Sequence, residues 1–184
     1  MLKIIASPHI KLDSKNWCFP LSMSYLLDLN LEPEDLQHLH ERHVTETSLG
    51  HYLPQDLQEK YQVQEKRSEV LFPEALEIKS ISKLLAPYLI TEEKNKGYLI
   101  FITYPQAPLA HCITIKNETY RKVAFSSRNE QDSPPFILLN KFRQGAETLF
   151  TPVQNHDDIA HFLLTELAHP TEIPTLQIVK YASL

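Results

Sequence analysis

The chain has 184 residues, a formal net charge of −5 and only three glycines, Gly50, Gly97 and Gly145. Average usage would give roughly thirteen glycines. These three stand 47 and 48 residues apart, which excludes a dinucleotide-binding fingerprint and a P-loop, because both need closely spaced glycines. Acidic and basic residues are interspersed, so no basic stripe indicates a nucleic-acid partner. The length predicts a single domain over residues 1–184.

The sequence also lacks the marks of membrane insertion and of secretion. No apolar run approaches the ~20 residues that a membrane helix requires, and the apolar segment at the start is too short for a secretory signal. The two cysteines, Cys18 and Cys112, do not make a disulfide framework. We therefore expect a cytoplasmic protein, or one delivered into another cell without a Sec signal, with no membrane span and no cofactor.

Helical periodicity dominates the first half of the chain. Apolar residues recur at spacings of three and four from Cys18 onward, which predicts a helix that ends near Asn30. Pro33, followed by two acidic residues, predicts the start of a second helix. Short helices are predicted over 54–60 and 78–88. The rest of 44–77 is polar and mixed, which suits either a rim or lid or a plain connection.

Strand patterns dominate the second half, after an expected turn at Lys96-Gly97. The predicted elements are strands over 98–104, 111–116, 120–125 and 176–181 and a helix over 157–167 with Asp157 as its N-cap. Asn117-Glu118 supplies a turn signal, which predicts an antiparallel hairpin between the second and third strands. Because helices precede an antiparallel meander, the predicted fold class is α+β.

Cys18 is the candidate nucleophile. It stands where the apolar helical stripe begins, and a helix N-terminus offers unpaired N–H groups and a positive dipole end that favour a thiolate. A thiolate also needs an imidazole, which can come from a distant segment. His111 opens a predicted strand after a proline-bounded loop and is the candidate base. Cys112, its neighbour on the strand, should face the opposite side and lie in the core.

A third polar group should orient the imidazole through its other ring nitrogen. The predicted hairpin returns its second strand beside the start of the first, which brings residues 126–129 near His111. Asn129 is the first candidate, and Asp132 and Ser127 are alternatives.

These residues carry a resemblance. The segment Cys18-Phe-Pro-Leu-Ser-Met-Ser-Tyr-Leu-Leu resembles the nucleophile helix of papain-like cysteine peptidases of the bacteriocin-leader (double-glycine) type and their relatives. Leu99-Ile-Phe-Ile-Thr followed by Ala110-His111-Cys-Ile-Thr-Ile looks like the apolar strand and the histidine strand of that family. The resemblance covers about residues 10–130. It implies a papain-like fold, an N-terminal helical half followed by an antiparallel sheet, and no metal in the active site.

The chain departs from the family pattern at two positions. Phe19 stands where the family has a glycine, and Leu12 stands where the family has its oxyanion-hole glutamine. Asn16, or Lys15, is the candidate replacement, because an amide or an ammonium suits a developing oxyanion. Trp17 is a candidate for the substrate groove or for packing, and Phe19 either narrows that groove or packs away from it.

The leading prediction is a thiol-dependent acyl-transfer enzyme (protease, deamidase or transglutaminase) that acts on a protein or peptide. Cys18 would attack an amide carbonyl, His111 would move the proton and Asn129 would orient the imidazole. Phe19 and the missing glutamine favour an alternative, a catalytically inactive interaction module of the same fold. The cluster His38-x-His40-x-x-His43 supports a second alternative, a zinc-binding protein, although only His40 and His43 share a helix face.

Overall fold

One antiparallel sheet organises the part of the chain that the structure describes. The computed structural model describes residues 2–4, 18–27, 31–45, 53–88, 94–105, 110–117, 136–139, 148–153, 155–166 and 171–184. The strands are β1 (Leu2–Ile4), β2 (Val63–Leu71), β3 (Asn95–Thr103), β4 (Ala110–Asn117), β5 (Phe136–Leu139), β6 (Thr148–Val153) and β7 (Thr175–Ser183). Their order in the sheet is β1-β6-β5-β4-β3-β7-β2, and every neighbouring pair is antiparallel.

Helices cover both faces of the sheet. They are α1 (Cys18–Leu26), α2 (Pro33–Thr45), α3 (Gln55–Lys60), α4 (Ile78–Leu85) and α5 (His156–Glu166). Because side chains alternate along a strand, β3 sends Leu99 and Phe101 to one face, with α1, α2 and α3. It sends Ile100 and Ile102 to the other face, with α4 and α5. We call these the α1 face and the α4 face.

The α+β prediction is confirmed, but the helical and sheet halves are not separate in sequence. Strand β2 lies inside the polar segment 44–77, where no strand was predicted, and α5 lies between β6 and β7. The expected turn at Lys96-Gly97 is also wrong, since both residues belong to β3. Their strand pairs with β4 and β7 from its first residues, and a bulge lies between Asn95 and Gly97.

The turn residue Glu118 and the predicted strand over 120–125 lie outside the described residues, so the predicted hairpin stays a prediction. Residues 115–117 of β4 pair on one side with β5, and residues 115 and 116 pair on the other side with β3. The end of β4 is therefore paired on both sides. The placement of Asn129 near His111 depended on the hairpin and also stays a prediction.

The N-cap of α5 also differs from the prediction. The side-chain oxygen of Asn155 accepts a hydrogen bond of 3.0 Å from the backbone N–H of Asp158. Asn155 is therefore the cap, and Asp157 lies in the first turn, where its charge suits the positive end of the helix dipole. Among the described residues, no helix is long and apolar enough to cross a membrane.

Candidate functional site

Cys18 is the first residue of α1. Pro20 follows in the first turn, where a proline is tolerated because its missing N–H would have no partner inside the helix. The side chains of α1 that the structure describes are all buried, at Phe19, Pro20 and residues 22–26. These buried side chains belong to a helix that packs against β4, β3 and α2.

Polar contacts fix α1 on β4. The hydroxyl of Ser22 donates to the backbone oxygen of Cys112 at 3.3 Å, and the hydroxyl of Thr114 donates to the backbone oxygen of Ser22 at 2.8 Å. One turn further on, the ammonium of Lys116 donates to the backbone oxygen of Tyr25 at 3.0 Å and lies 5.1 Å from the centroid of its ring. Ser22 and Thr114 are fully buried and Lys116 is 3% exposed, so these bonds form away from competing water.

These contacts set the direction of α1. Ser22 meets Cys112 and Thr114, and Tyr25 meets Lys116, so the helix runs along β4 in the same direction. Cys18 precedes Ser22 by four residues, about 6 Å along the helix, which corresponds to about two residues of a strand. The backbone start of α1 therefore lies at the level of the first residues of β4, where the backbone of His111 is found.

The register of β4 places position 111 on the other face of the sheet from α1. Residues 110–116 pair with β3 without a bulge, and His111 is opposite Ile102. Cys112 belongs to the core of the α1 face, whereas Ile113 and Ile115 belong to the core of the α4 face. Strand alternation therefore groups position 111 with Ile113 and position 110 with Cys112. The start of α1 and the start of β4 share one end of the sheet, but position 111 and α1 belong to different faces.

Phe19 is a core residue. Its side chain is 2% exposed, and its ring centroid lies 5.7 Å from that of Phe101, with the planes inclined at 35°. Phe19 therefore packs in the core of the α1 face, and its place in a substrate groove stays a prediction. Cys112 is buried as expected, at 4% exposure.

The other predicted site residues lie outside the described residues. These are Asn16, Lys15 and Trp17 before the nucleophile and Ser127, Asn129 and Asp132 after the histidine strand. Their roles as oxyanion donor, groove residue and orienting group stay predictions.

The histidines of α2 do not form a described metal site. His38 is exposed and His40 is partly buried, and the side chain of His43 lies outside the described set. Within the described part of the chain, no group of three His, Cys, Asp or Glu side chains is arranged to hold a metal ion.

A polar cluster that was not predicted from the sequence lies between α2 and α3. Lys60 contacts Glu32 at 2.7 Å and Asp35 at 2.8 Å, while the hydroxyl of Tyr61 donates to Asp35 and accepts the backbone N–H of Glu32 at 2.9 Å. Burial alone would raise the pKa of Asp35, but hydrogen bonds from Lys60 and Tyr61 and the charges of Lys60 and His38 outweigh it and lower that pKa. Burial, followed by the bond to Asp35, raises the pKa of Tyr61.

Comparisons with protein-family models, with curated proteins and with solved structures find no match to this chain.

Proposed function

We propose that the protein is a thiol-dependent acyl-transfer enzyme of papain-like type, with Cys18 as its nucleophile and His111 as its base. The observation that carries the proposal is the position of Cys18 as the first residue of a buried helix. N–H groups at a helix start and the dipole of the helix stabilise a thiolate, and cysteines in such positions have pKa values lowered to about 3.5–7.5.

The contacts between α1 and β4 support the same proposal. Buried hydrogen bonds at Ser22 and Thr114 hold the helix rigidly, and a nucleophile gains from a fixed position because misplacement by about 1 Å can cost a hundredfold in rate. His111 lies in the strand that α1 follows, at the same end as Cys18.

In the proposed reaction, the Cys18 thiolate adds to the carbonyl carbon of a protein amide. The tetrahedral intermediate expels the amine, which takes a proton from the imidazolium of His111, and leaves a thioester. Water or an acceptor amine, deprotonated by His111, then attacks the thioester and frees Cys18. Water as the acceptor gives proteolysis or deamidation, and an amine gives transglutamination. Asn129 would orient the imidazole and Asn16 would bind the oxyanion.

The register of β4 favours a second candidate, a non-catalytic interaction module. An imidazole can serve Cys18 only from the α1 face, and regular alternation groups position 111 with the α4 face. For the proposed enzyme, the first residues of β4 must therefore depart from regular strand alternation, so that the imidazole can reach the α1 face. The burial of Phe19 agrees with either candidate.

The reactivity of Cys18 decides between the two. The chain has two cysteines, so Cys112→Ala leaves Cys18 as the single thiol. The rate of alkylation by iodoacetamide is measured from pH 4 to pH 10 in this variant and in the same variant with His111→Ala. For the enzyme, we expect the rate to reach half its maximum below about pH 7, against about 8.5 for an ordinary thiol, and His111→Ala to move that midpoint upward.

The matched control is Cys18→Ala, in which only Cys112 can react. Cys112 is 4% exposed, so this variant should be labelled only after unfolding. Circular dichroism confirms that each variant is folded. If the alkylation rate of Cys18 has its midpoint near pH 8.5, and His111→Ala does not change that midpoint, the result contradicts the enzyme and supports the interaction module.

A further inference from the structure

Three lysines line one groove at the end of the sheet where β7 finishes. The groove has a volume of about 390 Å³ and is bounded by Lys66, Lys94 and Lys180, with Gln64, Ser183 and Leu184 among the other lining residues. This volume lies within the range of about 300–1,000 Å³ that is usual for small-ligand sites.

Two β-bulges shape this groove. In β2, the pairing with β7 shifts between Glu65 and Arg67, which leaves Lys66 as the extra residue. In β3, the pairing with the same end of β7 shifts between Asn95 and Gly97. A bulge changes the direction of the side chains beside it and is frequent next to functional sites. The two bulges lie at the same level of the sheet. At this level, lysines from β2, from β7 and from the residue before β3 line the groove.

The charge of the groove is opposite to that of the chain. The chain carries −5 overall, yet none of the described side chains that line the groove is acidic. The two glutamates of β2 are not among the residues that line the groove. Glu69 accepts a hydrogen bond from Tyr88, and Glu65 precedes the bulge with the strand parity of Val63, which lies on the α1 face. Three ammonium groups repel one another, and an anion in the groove relieves that repulsion.

We propose that this groove binds a small ligand that bears two or more phosphate groups. Two phosphates carry a charge of about −3 to −4 at neutral pH, which balances the positive charges of three lysines. The single negative charge of one carboxylate does not. Lysine binds phosphate as a point charge, while planar carboxylates are recognised best by arginine forks. Gln64 and Ser183 also line the groove, and the amide oxygen of Gln64 accepts a hydrogen bond of 2.6 Å from the ammonium of Lys66, which leaves the amide NH₂ as a donor. The proposal does not depend on Cys18.

Calorimetric titration with pyrophosphate tests the proposal, with inorganic phosphate and acetate as weaker probes. We expect pyrophosphate to bind most tightly and its affinity to fall steeply with added salt. Lys66→Gln, Lys94→Gln and Lys180→Gln should each weaken binding roughly tenfold. Lys79→Gln and Lys83→Gln are the matched controls, because both lysines are exposed on α4 and lie outside the groove, and they should leave the affinity unchanged.

A second arm separates a soluble ligand from a lipid headgroup. Phosphatidylcholine vesicles with and without a phosphatidylinositol bisphosphate are sedimented with the protein. Cosedimentation that needs the phosphoinositide and is lost in Lys66→Gln supports a lipid source, and binding of pyrophosphate alone supports a soluble one. Lys66 and Lys94 are exposed, so their variants should fold. The proposal is overturned if neither probe binds, or if the control variants lose as much affinity as the groove variants.

Discussion

Gly97 is a position where a side chain has little room. Its φ of +152° lies in a region that other residues rarely adopt, and it stands beside the bulge of β3. A Cβ atom at this position would lie 2.6 Å from the backbone oxygen of Ile115 and 2.7 Å from Cδ1 of Leu26. The missing side chain therefore lets β3 approach both β4 and the last residue of α1.

We expect Gly97→Ala to lower the free energy of unfolding by about 2–4 kcal/mol, because backbone strain and overpacking act together. Urea denaturation followed by circular dichroism measures this loss. Lys96→Ala, at the partly exposed neighbouring position, is the control and should cost less than about 0.5 kcal/mol. An equal loss in both variants would show that the strand, and not the glycine, sets the cost.

At the scale of elements, α1 and β4 act as one unit. The helix has no exposed described side chain, and its orientation relies on the reciprocal bonds between Ser22 and β4 and on Lys116 at its last turn. The cation near the C-terminal end also interacts favourably with the helix dipole. The position of a nucleophile at the first residue of α1 is thus fixed by contacts one and two turns away.

Thr114→Val tests this unit with little change of volume. It removes the bond to the backbone oxygen of Ser22, and we expect a loss of about 1–2 kcal/mol in the free energy of unfolding. Ser22→Ala and the double variant complete a mutant cycle, in which the double loss should fall short of the sum because the two hydroxyls bind at one contact. Strict additivity would mean that the two bonds stabilise independent parts of the fold.

The sequence predicts the elements whose burial is regular. Helices α2, α3, α4 and α5 and strands β3, β4 and β7 were all expected within a few residues, because local signals such as a helical periodicity, an alternation, a continuous apolar run or a helix-start signal mark these elements. Strand β2 was not predicted, because its bulge reverses the alternation of side chains between the two faces of the sheet. Val63 and Leu71 are both odd-numbered positions, yet they belong to opposite faces. The local turn signal at residues 117–118 gave no indication that the end of β4 pairs with β5, which begins at Phe136.

The candidate site divides in the same way. That Cys18 starts a helix and His111 lies early in a strand follows from local pattern, and the structure agrees. Which face of β4 the helix covers is tertiary information. Thr114 and Lys116 resemble the solvent face of an amphipathic strand in sequence, yet they are buried against α1. Polar residues that alternate with isoleucines gave no signal of a helix above them.

At the scale of the whole molecule, carboxylates make opposite contributions to the dependence of stability on pH. Lys60 and Tyr61, at the end of α3, bind Asp35 of α2 across 25 and 26 residues of sequence. The pKa of Asp35 is lowered in the folded protein, after the opposing effect of burial is outweighed by these partners. Burial raises the pKa of Glu65. Stability from Asp35 is therefore present above its unfolded pKa of about 3.9 and is lost as the pH falls through the lower folded value.

The contribution of Glu65 to the pH dependence of stability has the opposite sign, because a carboxyl group whose folded pKa is raised binds its proton more tightly in the folded state. The protein then loses stability as the pH rises through the unfolded pKa of Glu65, about 4.3, toward the folded value. We expect Glu65→Gln to reduce this loss above about pH 4.5 and Asp35→Asn to flatten the decline below about pH 4. Urea denaturation at several pH values between 2.5 and 7 measures both slopes. Glu74→Gln, an exposed carboxylate outside the cluster, should leave the profile parallel to that of the unaltered chain. If Asp35→Asn instead lowers stability equally at every pH, the cluster acts through the geometry of its hydrogen bonds and not through the charge of Asp35.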